Sequence, residues 1–326
     1  MLRRGTRNQA HGASEWVERI EQARRTIYTI AVETPVTEVN DPRLFGGRVY
    51  LKREDLQRSG SFKLRGATNK VLNLSADVAQ RGVVTSSTGS HGLGVATAAR
   101  HVGIDAEIFL STKVSPWRLR KMEQLGARLH MVEGTPLEAE LAARWAASDL
   151  GRAYISPYND ADVIAGQGTI AAELCAQIPQ IDAIYIAVGG GGLISGVGSY
   201  CEEVKPETQM IACWAENSHV MYDCLQAGEV RDFPEKPTVS EGTAGGVEPG
   251  SITFEICRRV IDRHVFVTED EILEAMRWAH ARGWMLEGAA GLALAAAFRD
   301  AAAIQAKTVV VVACGGNTSP EVLALL

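Results

Sequence analysis

Short apolar runs alternate with longer amphipathic segments along this 326-residue chain. Several runs are apolar throughout rather than at every second position, which is typical of strands that are covered on both faces of a parallel sheet. The segments between them carry apolar residues at helical spacing. This alternation predicts an open α/β architecture in which helices connect parallel strands. The predicted strands are 49–52, 83–86, 107–110, 128–132, 183–188, 210–214, 264–268 and 308–313, and the predicted helices include 14–28, 136–150, 160–177 and 269–282.

Loops rich in small residues follow three of the predicted strands. They read STGSHGLG after 83–86, GGGGLISG after 183–188 and CGGNTS after 308–313. Because ligands of open α/β sheets bind at the carboxyl ends of the strands, we expect the three loops to share one cleft.

Four consecutive glycines, Gly189 to Gly192, separate a predicted strand from a helical pattern. Bare backbone N–H groups at a helix N-terminus attract anions, above all phosphate. Three interpretations compete: a tight turn with close helix–strand packing, a dinucleotide site with Glu216 as its ribose-binding acid, and a seat for one phosphomonoester. The dinucleotide spacing fails because Ile194 and Ser195 stand where a third glycine is needed, and no Lys-Ser/Thr follows to make a P-loop. A single phosphate held by the backbone fits best.

A lone lysine, Lys63, lies in the small-residue stretch SGSFKLRGA, which leads into a helical pattern. Gly60, Ser61 and Gly66 frame it and allow other groups to approach closely. Lysine forms imines with aldehydes, and its pKa responds strongly to burial. A reactive amine together with a phosphate seat predicts pyridoxal 5′-phosphate as the cofactor.

The motifs occur in an order that resembles the fold-type II pyridoxal-phosphate enzymes, in the branch of threonine/serine dehydratases and serine racemases. KREDLQRSGSFKLRGA resembles the lysine motif of that family, SSTGSHG the loop beneath the cofactor ring, GGGGLISG the phosphate loop and CGGN the contact to the pyridine nitrogen. The likeness extends from about residue 34 to residue 320. Each motif alone is weak, but four in family order are specific.

The resemblance implies a tryptophan-synthase-β-like fold, with two open parallel-sheet α/β domains and the cofactor cleft between them. A large cofactor-binding domain is expected to comprise residues 1–81 and 160–326, and a small substrate-side domain residues 82–159. The resemblance also implies a homodimer.

The resemblance assigns a set of cofactor contacts. Lys63 is implied to form the Schiff base, and Phe62 to lie against one face of the ring. Cys314 occupies the place of a neutral Ser or Cys at the pyridine nitrogen, although by itself it would be interpreted as a buried structural thiol. Glu287 resembles an acid that supports these contacts, and an exposed acid at a helix N-terminus is its alternative. The remaining implied contacts are Gly189, Gly190, Gly191, Gly192 and Leu193 at the phosphate, Gly242 over the other ring face and Ser90 at the phenolic oxygen.

The loop 87–91 is expected to bind the substrate carboxylate through Ser87, Thr88, Gly89 and His91, at the start of a helix. Thr88 occupies the position of a serine that serves as an acid in serine racemase, and its extra methyl group argues against racemisation. Ser90 stands where relatives usually have asparagine, so a shorter hydroxyl replaces an amide. We interpret His91 as a helix-start residue that is satisfied by the backbone rather than as a catalytic group.

The cation site of the family is matched in part. That site takes an acid after the strand that follows the phosphate loop, and a second acid six residues later. Glu216 matches the first, but Tyr222 stands at the second and Asp223 comes one place late. A divalent cation at Glu216 and an ordinary surface acid both remain open.

The composition and net charge of the chain indicate which kinds of partner it can bind. A net charge of −6 and a pI near 5.7, without a basic stripe, argue against nucleic acid and anionic membranes as partners. The longest apolar run, 288–298, is too short to span a bilayer. Six cysteines without a CxxC pair are typical of reduced thiols, so we expect a cytoplasmic protein that acts on a small molecule.

The predicted activity is β-elimination from a β-hydroxy amino acid such as threonine or serine, giving a 2-oxo acid and ammonia. A neutral contact at the pyridine nitrogen leaves the ring a weaker electron sink, which favours prompt loss of a β-leaving group over transamination. The segments WAENSHVMYDCL and EGTAGGVEPGSITFE resemble dehydratases linked to hydroxyectoine breakdown, so a hydroxyectoine-derived amino acid is a further candidate substrate. The alternatives are an amino-acid racemase that uses Lys63 and Thr88, and a non-catalytic pyridoxal-phosphate-binding protein.

Overall fold

The computed structural model describes residues 12–44, 46–112 and 114–326, and in this part of the chain two β-sheets are flanked by helices. The larger sheet has six strands in the order β1-β2-β10-β7-β8-β9, all parallel except for the antiparallel edge pair β1–β2. These strands are β1 (Val36–Val39), β2 (Arg48–Arg53), β7 (Ala183–Ala187), β8 (Gln209–Ala215), β9 (Arg263–Val267) and β10 (Thr308–Ala313). The central strands are buried along nearly their whole length, as expected where helices cover both faces.

The smaller sheet has four parallel strands in the order β5-β4-β3-β6. They are β3 (Val83–Ser86), β4 (Ala106–Ser111), β5 (Arg128–Val132) and β6 (Ala153–Tyr154). All four lie inside 82–159, the segment assigned to the small domain, and that division stays a prediction.

Helices connect the strands on both sheets. They are α1 (Gly12–Thr26), α2 (Lys63–Leu72), α3 (Ala76–Arg81), α4 (Ser90–Val102), α5 (Pro116–Gln124), α6 (Pro136–Asp149), α7 (Ala161–Gln177), α8 (Gly192–Val204), α9 (Val220–Ala227), α10 (Ile252–Val260), α11 (Glu269–His280), α12 (Gly288–Arg299) and α13 (Pro320–Leu323). Capping residues that can be recognised in the sequence fix several starts: Thr135 forms a capping box with Glu138, and Asp160 accepts hydrogen bonds from the first turn of α7. None of the described helices is long and apolar enough to serve as a membrane span.

Helix α2 joins the two apolar cores. Its Leu64 packs into the core of the six-stranded sheet, whereas Ala67 and Val71 pack into the core of the four-stranded sheet. Because Lys63 is the first residue of this helix, its amine lies where the two sheets meet.

The eight predicted strands and four predicted helices are confirmed, with ends that shift by one or two residues. Strands β1 and β6 were not predicted. Strand β6 has only two residues, both half-buried, and therefore leaves no periodic signal.

Candidate active site

The three small-residue loops meet at one cavity of about 270 Å³, as the sequence predicted. The loops after β3, β7 and β10 line it, together with Phe62 and Lys63. Every candidate cofactor- or substrate-binding residue lies in this lining: Phe62, Lys63, Ser87, Thr88, Gly89, Ser90, His91, Gly189, Gly190, Gly191, Gly192, Leu193, Gly242, Glu287 and Cys314. Glu216 is not part of it.

The Lys63 residue is half-buried, and its amine lies among protein atoms in the cavity wall. Its Nζ donates to the carbonyl oxygen of Pro157 at 2.7 Å and lies 5.1 Å from the centre of the Phe62 ring. Burial lowers the pKa of the Lys63 amine to about 8, although the nearby Cys314 and Glu287 act in the opposite direction. The unprotonated form, which a nucleophile or base requires, is therefore reached at a lower pH than in free lysine.

Backbone contacts fasten the segment before Lys63 to the loop after β10. The Phe62 N–H donates to the Cys314 carbonyl at 3.0 Å, and the Gly316 N–H donates to the Gly60 carbonyl at 2.9 Å. Gly60 has φ of +78°, and a Cβ there would lie 2.6 Å from Asn317 Oδ1. Glycine is required at this point because the chain both turns into the left-handed region and touches the neighbouring loop.

A buried cluster of charges supports the helix that begins at Lys63. Arg65 pairs with Glu54 at 2.7 Å and with Glu173 at 2.5 Å, and Lys52 pairs with Glu173 at 2.6 Å. All four side chains are at most 1% exposed. These bonds tie β2, α2 and α7 together two residues from the amine, so the cluster fixes where Lys63 lies.

The four glycines form a cradle of bare backbone at the start of α8. An added Cβ would lie 2.9 Å from Thr243 at Gly189, 2.5 Å from the Tyr158 ring at Gly190 and 2.9 Å from Tyr158 at Gly192. Gly191 has φ of +85° and is the N-cap of the 13-residue helix α8. The first N–H groups of such a helix have no partner within the helix, which makes this cradle a seat for an anion.

Cys314, Glu287 and Ser90 meet at another wall of the cavity. Cys314 Sγ lies 3.9 Å from Glu287 Oε1, and the Ser90 hydroxyl donates to Glu287 Oε2 at 3.1 Å. Burial raises the pKa of the Cys314 thiol well above its ordinary value and also raises the pKa of Glu287. Cys314 is thus a neutral thiol.

The loop 87–91 opens helix α4. The Gly89 N–H donates to Ser87 Oγ at 3.2 Å, and Thr88 lines the cavity beside them. His91 Nε2 hydrogen-bonds the Ile155 carbonyl at 3.0 Å, and burial lowers the pKa of His91 to about 3. Nε2 of His91 is therefore bonded to the backbone, whereas its buried Nδ1 has no hydrogen-bond partner in the part of the chain that the structure describes. The interpretation of His91 as a helix-start residue that the backbone satisfies stays a prediction.

A sequence model of the family described as "Pyridoxal-phosphate dependent enzyme" matches residues 27–315. The chain belongs to this family. The match spans both sheets and most of the residues that line the cavity, so the cavity is that of a pyridoxal-phosphate enzyme.

Known proteins similar to this pyridoxal-phosphate enzyme include both lyases and racemases. The L-threonine ammonia-lyase of Thermotoga maritima is 36% identical over 303 residues, which are 92% of this chain and 75% of that protein. A serine racemase of Arabidopsis thaliana is 35% identical over 80% of this chain and 78% of its own length. Among solved structures, the processed form of threonine deaminase isoform 2 from Solanum lycopersicum has a TM-score of 0.90 and 32% identity, covering 96% of this chain and 91% of that one. The tryptophan-synthase-β-like, two-sheet fold expected from the sequence is confirmed.

The residues of this pyridoxal-phosphate enzyme fit their cofactor. Pyridoxal phosphate offers an aldehyde and a phosphate, and the cavity offers one buried amine at Lys63 and one glycine cradle at Gly189–192. Side chains at these glycines would collide with Thr243, Tyr158 or Cys257, so the bare backbone is the surface that the fold presents to the anion.

Several residues of the cavity wall were not singled out in the sequence, among them Tyr158, Arg118 and Glu241. Tyr158 packs on the glycine cradle, and its hydroxyl accepts a hydrogen bond from the Glu248 N–H at 2.9 Å. Arg118 pairs with Glu241 at 3.1 Å across 123 positions of the chain. No local motif signals either contact, because the partners are far apart in sequence.

The surroundings of Glu216 do not fit a divalent cation. Its carboxylate lies 3.7 Å from Arg299, and Tyr222 packs edge-on against Phe266 and His264. The described residues contain no group of three or more His, Cys, Asp and Glu side chains placed to hold a metal. Divalent cations of this class need several oxygen ligands. The suggested cation at Glu216 stays a prediction that these contacts do not support.

Proposed function

We propose that this pyridoxal-phosphate enzyme is an ammonia-lyase that removes the β-hydroxyl and the amine of a β-hydroxy amino acid such as threonine or serine. The products are a 2-oxo acid and ammonia. The observation that carries the proposal is the placement of a buried amine with a lowered pKa, an anion cradle and a neutral thiol around one cavity. The similarity to L-threonine ammonia-lyase supports it.

The cofactor would be held at both ends. Lys63 would bind it covalently, Phe62 and Gly242 would flank its ring, and Cys314 would face the ring nitrogen. The phosphate would lie at Gly189, Gly190, Gly191, Gly192 and Leu193, with Ser90 and Glu287 at the ring edge. When bound, pyridoxal phosphate supplies an electron-withdrawing ring that makes the α-hydrogen of an amino acid acidic.

Lys63 would act as the base at the substrate. Its Nζ lies in the lowered-pKa environment described above, so after release as a free amine it accepts the proton from the substrate α-carbon near neutral pH. The N–H groups of the loop 87–91 would orient the substrate by its carboxylate at the start of α4. The β-hydroxyl would take up a proton and leave as water. Hydrolysis of the released enamine by a second water would then give the 2-oxo acid and ammonia.

Cys314 would favour elimination over transamination. A neutral thiol does not hold a proton on the ring nitrogen as a carboxylate would. The ring would then stabilise a negative charge at the substrate α-carbon less, which would favour departure of the neighbouring hydroxyl.

Racemisation is the second candidate, favoured by one observation. The Thr88 hydroxyl lines the same cavity as Lys63, so two proton-carrying groups are available to one substrate. The similarity to serine racemases supports this alternative.

The remaining proposals concern the domain division, the oligomeric state, the cellular location and one further candidate substrate. We propose a small domain of residues 82–159, a large domain of residues 1–81 and 160–326, a homodimer and a cytoplasmic location. A hydroxyectoine-derived amino acid stays a candidate substrate on sequence resemblance alone.

A single assay tests the function. Purified protein is mixed with L-threonine, L-serine and amino acids derived from hydroxyectoine, and 2-oxo acid, ammonia and chirality are followed. Ammonia with 2-oxo acid supports the lyase, inversion without ammonia supports the racemase, and neither product from any substrate overturns both. Lys63→Ala is the matched control and is expected to lose about 10²- to 10⁴-fold or more of the activity.

A further inference from the structure

A glycine-rich loop covers one side of the cavity. The 240–250 loop, SEGTAGGVEPG, lies between β8 and β9 in sequence, and its residues 241–246 line the cavity. Gly245 has φ of +115° and Gly250 has φ of +75°, and a Cβ at either would have no atom within 4 Å. The loop therefore has high intrinsic backbone freedom and little packing of its own at these points. The buried side chains of Thr243 and Val247, and a hydrogen bond from the Gly245 N–H to Glu235 Oε1 at 3.0 Å, hold part of the loop. Contacts from the four-stranded side add to these.

One such contact comes from α5. Both terminal nitrogens of Arg118 donate to Glu241 Oε2 at 3.1 Å, and Nη2 also donates to the Asn317 carbonyl at 3.1 Å. The Arg118 side chain is 13% exposed, whereas that of Glu241 is 49% exposed. Arg118 therefore links the four-stranded side of the molecule to the near end of the loop and to the loop after β10.

A second contact comes from α6 and reaches the far end of the loop. Arg144 Nη2 pairs with Glu248 and also contacts Glu140 at 2.8 Å, while its guanidinium lies 4.4 Å from the centre of the Tyr154 ring. The Asn159 side chain donates to the same Glu248 carboxylate. Glu140 of α6 and Tyr154 of β6 thus orient the Arg144 side chain toward the loop.

We propose that Arg118 and Arg144 are positioning residues that together hold the 240–250 loop closed over the cofactor cavity. A single ion pair would let the loop pivot about that contact. The two pairs involve Glu241 and Glu248, which are seven positions apart, and so hold both ends of the loop. Both arginines lie on helices of the four-stranded sheet, whereas the loop belongs to the chain of the six-stranded sheet. Separation of the two sheets must therefore break both pairs, so opening of the cavity and release of the loop are one event.

Amide hydrogen exchange of the holoenzyme tests this without any turnover. Peptides spanning the 240–250 loop are compared in Arg118→Ala, Arg144→Ala and the double variant. Each single change is expected to speed exchange in the loop by about two- to fivefold, and the double change by about the product, because ion pairs of this exposure contribute at most modestly. Exchange that stays unchanged in the double variant overturns the proposal.

The matched control is Arg19→Ala on α1, which breaks an exposed pair with Glu15 of 2.9 Å that lies away from the loop. Loop exchange is expected to stay at the wild-type rate in this variant, and an equal acceleration would overturn the proposal. Arg118→Lys keeps the charge and should retain most of the protection. If Arg118→Ala does not fold, Glu241→Gln removes the same ion pair and takes its place in the comparison.

Reversing the two charges distinguishes the effect of the Arg118–Glu241 ion pair from the effect of changing either side chain alone. Arg118→Glu alone places two acids together and should release the loop, whereas Arg118→Glu with Glu241→Arg should recover at least part of the protection. A double swap that exchanges as fast as Arg118→Glu alone overturns the role of the pair.

The kinetic consequence rests on the proposed function. If the enzyme converts one of the tested amino acids, the KM of the double alanine variant is expected to be about tenfold higher than that of the wild type, with a smaller change in kcat. The reason is that the loop closes on bound substrate. If no β-hydroxy amino acid is turned over, the proposed function fails while the exchange result still decides the role of the arginines.

Discussion

Two sets of arginine–carboxylate pairs flank the cavity, and they differ in burial. Arg65 lies with Glu54 and Glu173 behind Lys63, and these three side chains are at most 1% exposed. Arg118 and Arg144 lie on helices of the four-stranded sheet and pair with the partly exposed Glu241 and Glu248 of the 240–250 loop.

Arginine–carboxylate pairs have two different roles here, because water screens the charges of the Arg118 and Arg144 pairs but not those of the Arg65 pairs. A buried pair cannot be broken without leaving an uncompensated charge, so it fixes geometry. An exposed pair can exchange its partner for water at low cost, so it can open and close. We therefore expect the lysine side of the cavity to be rigid and the loop side to be reversible.

The largest effect is expected from a substitution that breaks the buried ion pairs of Arg65. Arg65→Ala leaves Glu54 and Glu173 buried with fewer partners and should lower the free energy of unfolding by about 3–5 kcal/mol. Chemical denaturation of the holoenzyme measures this, with Arg19→Ala as the exposed control at about 0–1 kcal/mol. A loss for Arg65→Ala as small as that of the control would contradict the comparison.

The next prediction concerns the amine that this set positions. Since burial lowers the pKa of Lys63 from 10.5 to about 8, the unprotonated nucleophile forms at lower pH than in free lysine. The rate at which apoenzyme captures pyridoxal phosphate should therefore rise as the pH increases through about 8 and then level off. Nα-acetyl-lysine, measured in parallel, should keep rising toward its own higher pKa. A protein profile that follows the free amine would show that Lys63 is not in the buried environment described.

A third prediction tests the rigidity of the glycine cradle. Gly190→Ala places a methyl group 2.5 Å from the Tyr158 ring, so cofactor affinity should fall by about 1–3 kcal/mol. Gly246→Ala on the loop meets only Asp232 at 4.0 Å and should change affinity by about twofold or less. Equilibrium titration with pyridoxal phosphate, read by its absorbance, gives both values. Equal losses in the two variants would remove the contrast between the cradle and the loop.

The smallest effect is expected at the far end of the loop. Glu248→Gln removes the charge that Arg144 meets but retains an acceptor for the Asn159 amide. The free energy of unfolding should change by about 1 kcal/mol or less, while exchange of the 240–250 loop accelerates. A large loss of global stability would place this pair with the buried set instead.

Much of the cofactor side could be predicted because its chemistry is local in sequence. Lys63 stands in a short stretch of small residues, and the glycines at 189–192 follow one another directly between a strand and a helix. Strands β7 and β10 were predictable since central parallel strands need unbroken apolar residues.

The loop side could not be predicted in the same way. Arg118 and Arg144 stand in ordinary amphipathic helices, where an arginine is most often a solvated surface residue. Their partners come 123 and 104 positions later in the chain. The two-residue strand β6 and the antiparallel edge pair β1–β2 likewise depend on neighbours supplied by distant segments.

By itself the sequence determined the α/β class and singled out Lys63 and the four-glycine turn, because local periodicity and residue type are sufficient for these. Only the tertiary structure decided which charges are buried and which remain in reach of water. That choice depends on what packs around each side chain after the two sheets come together. The same arginine–carboxylate pairing therefore becomes a fixed support behind Lys63 and a releasable contact at the 240–250 loop.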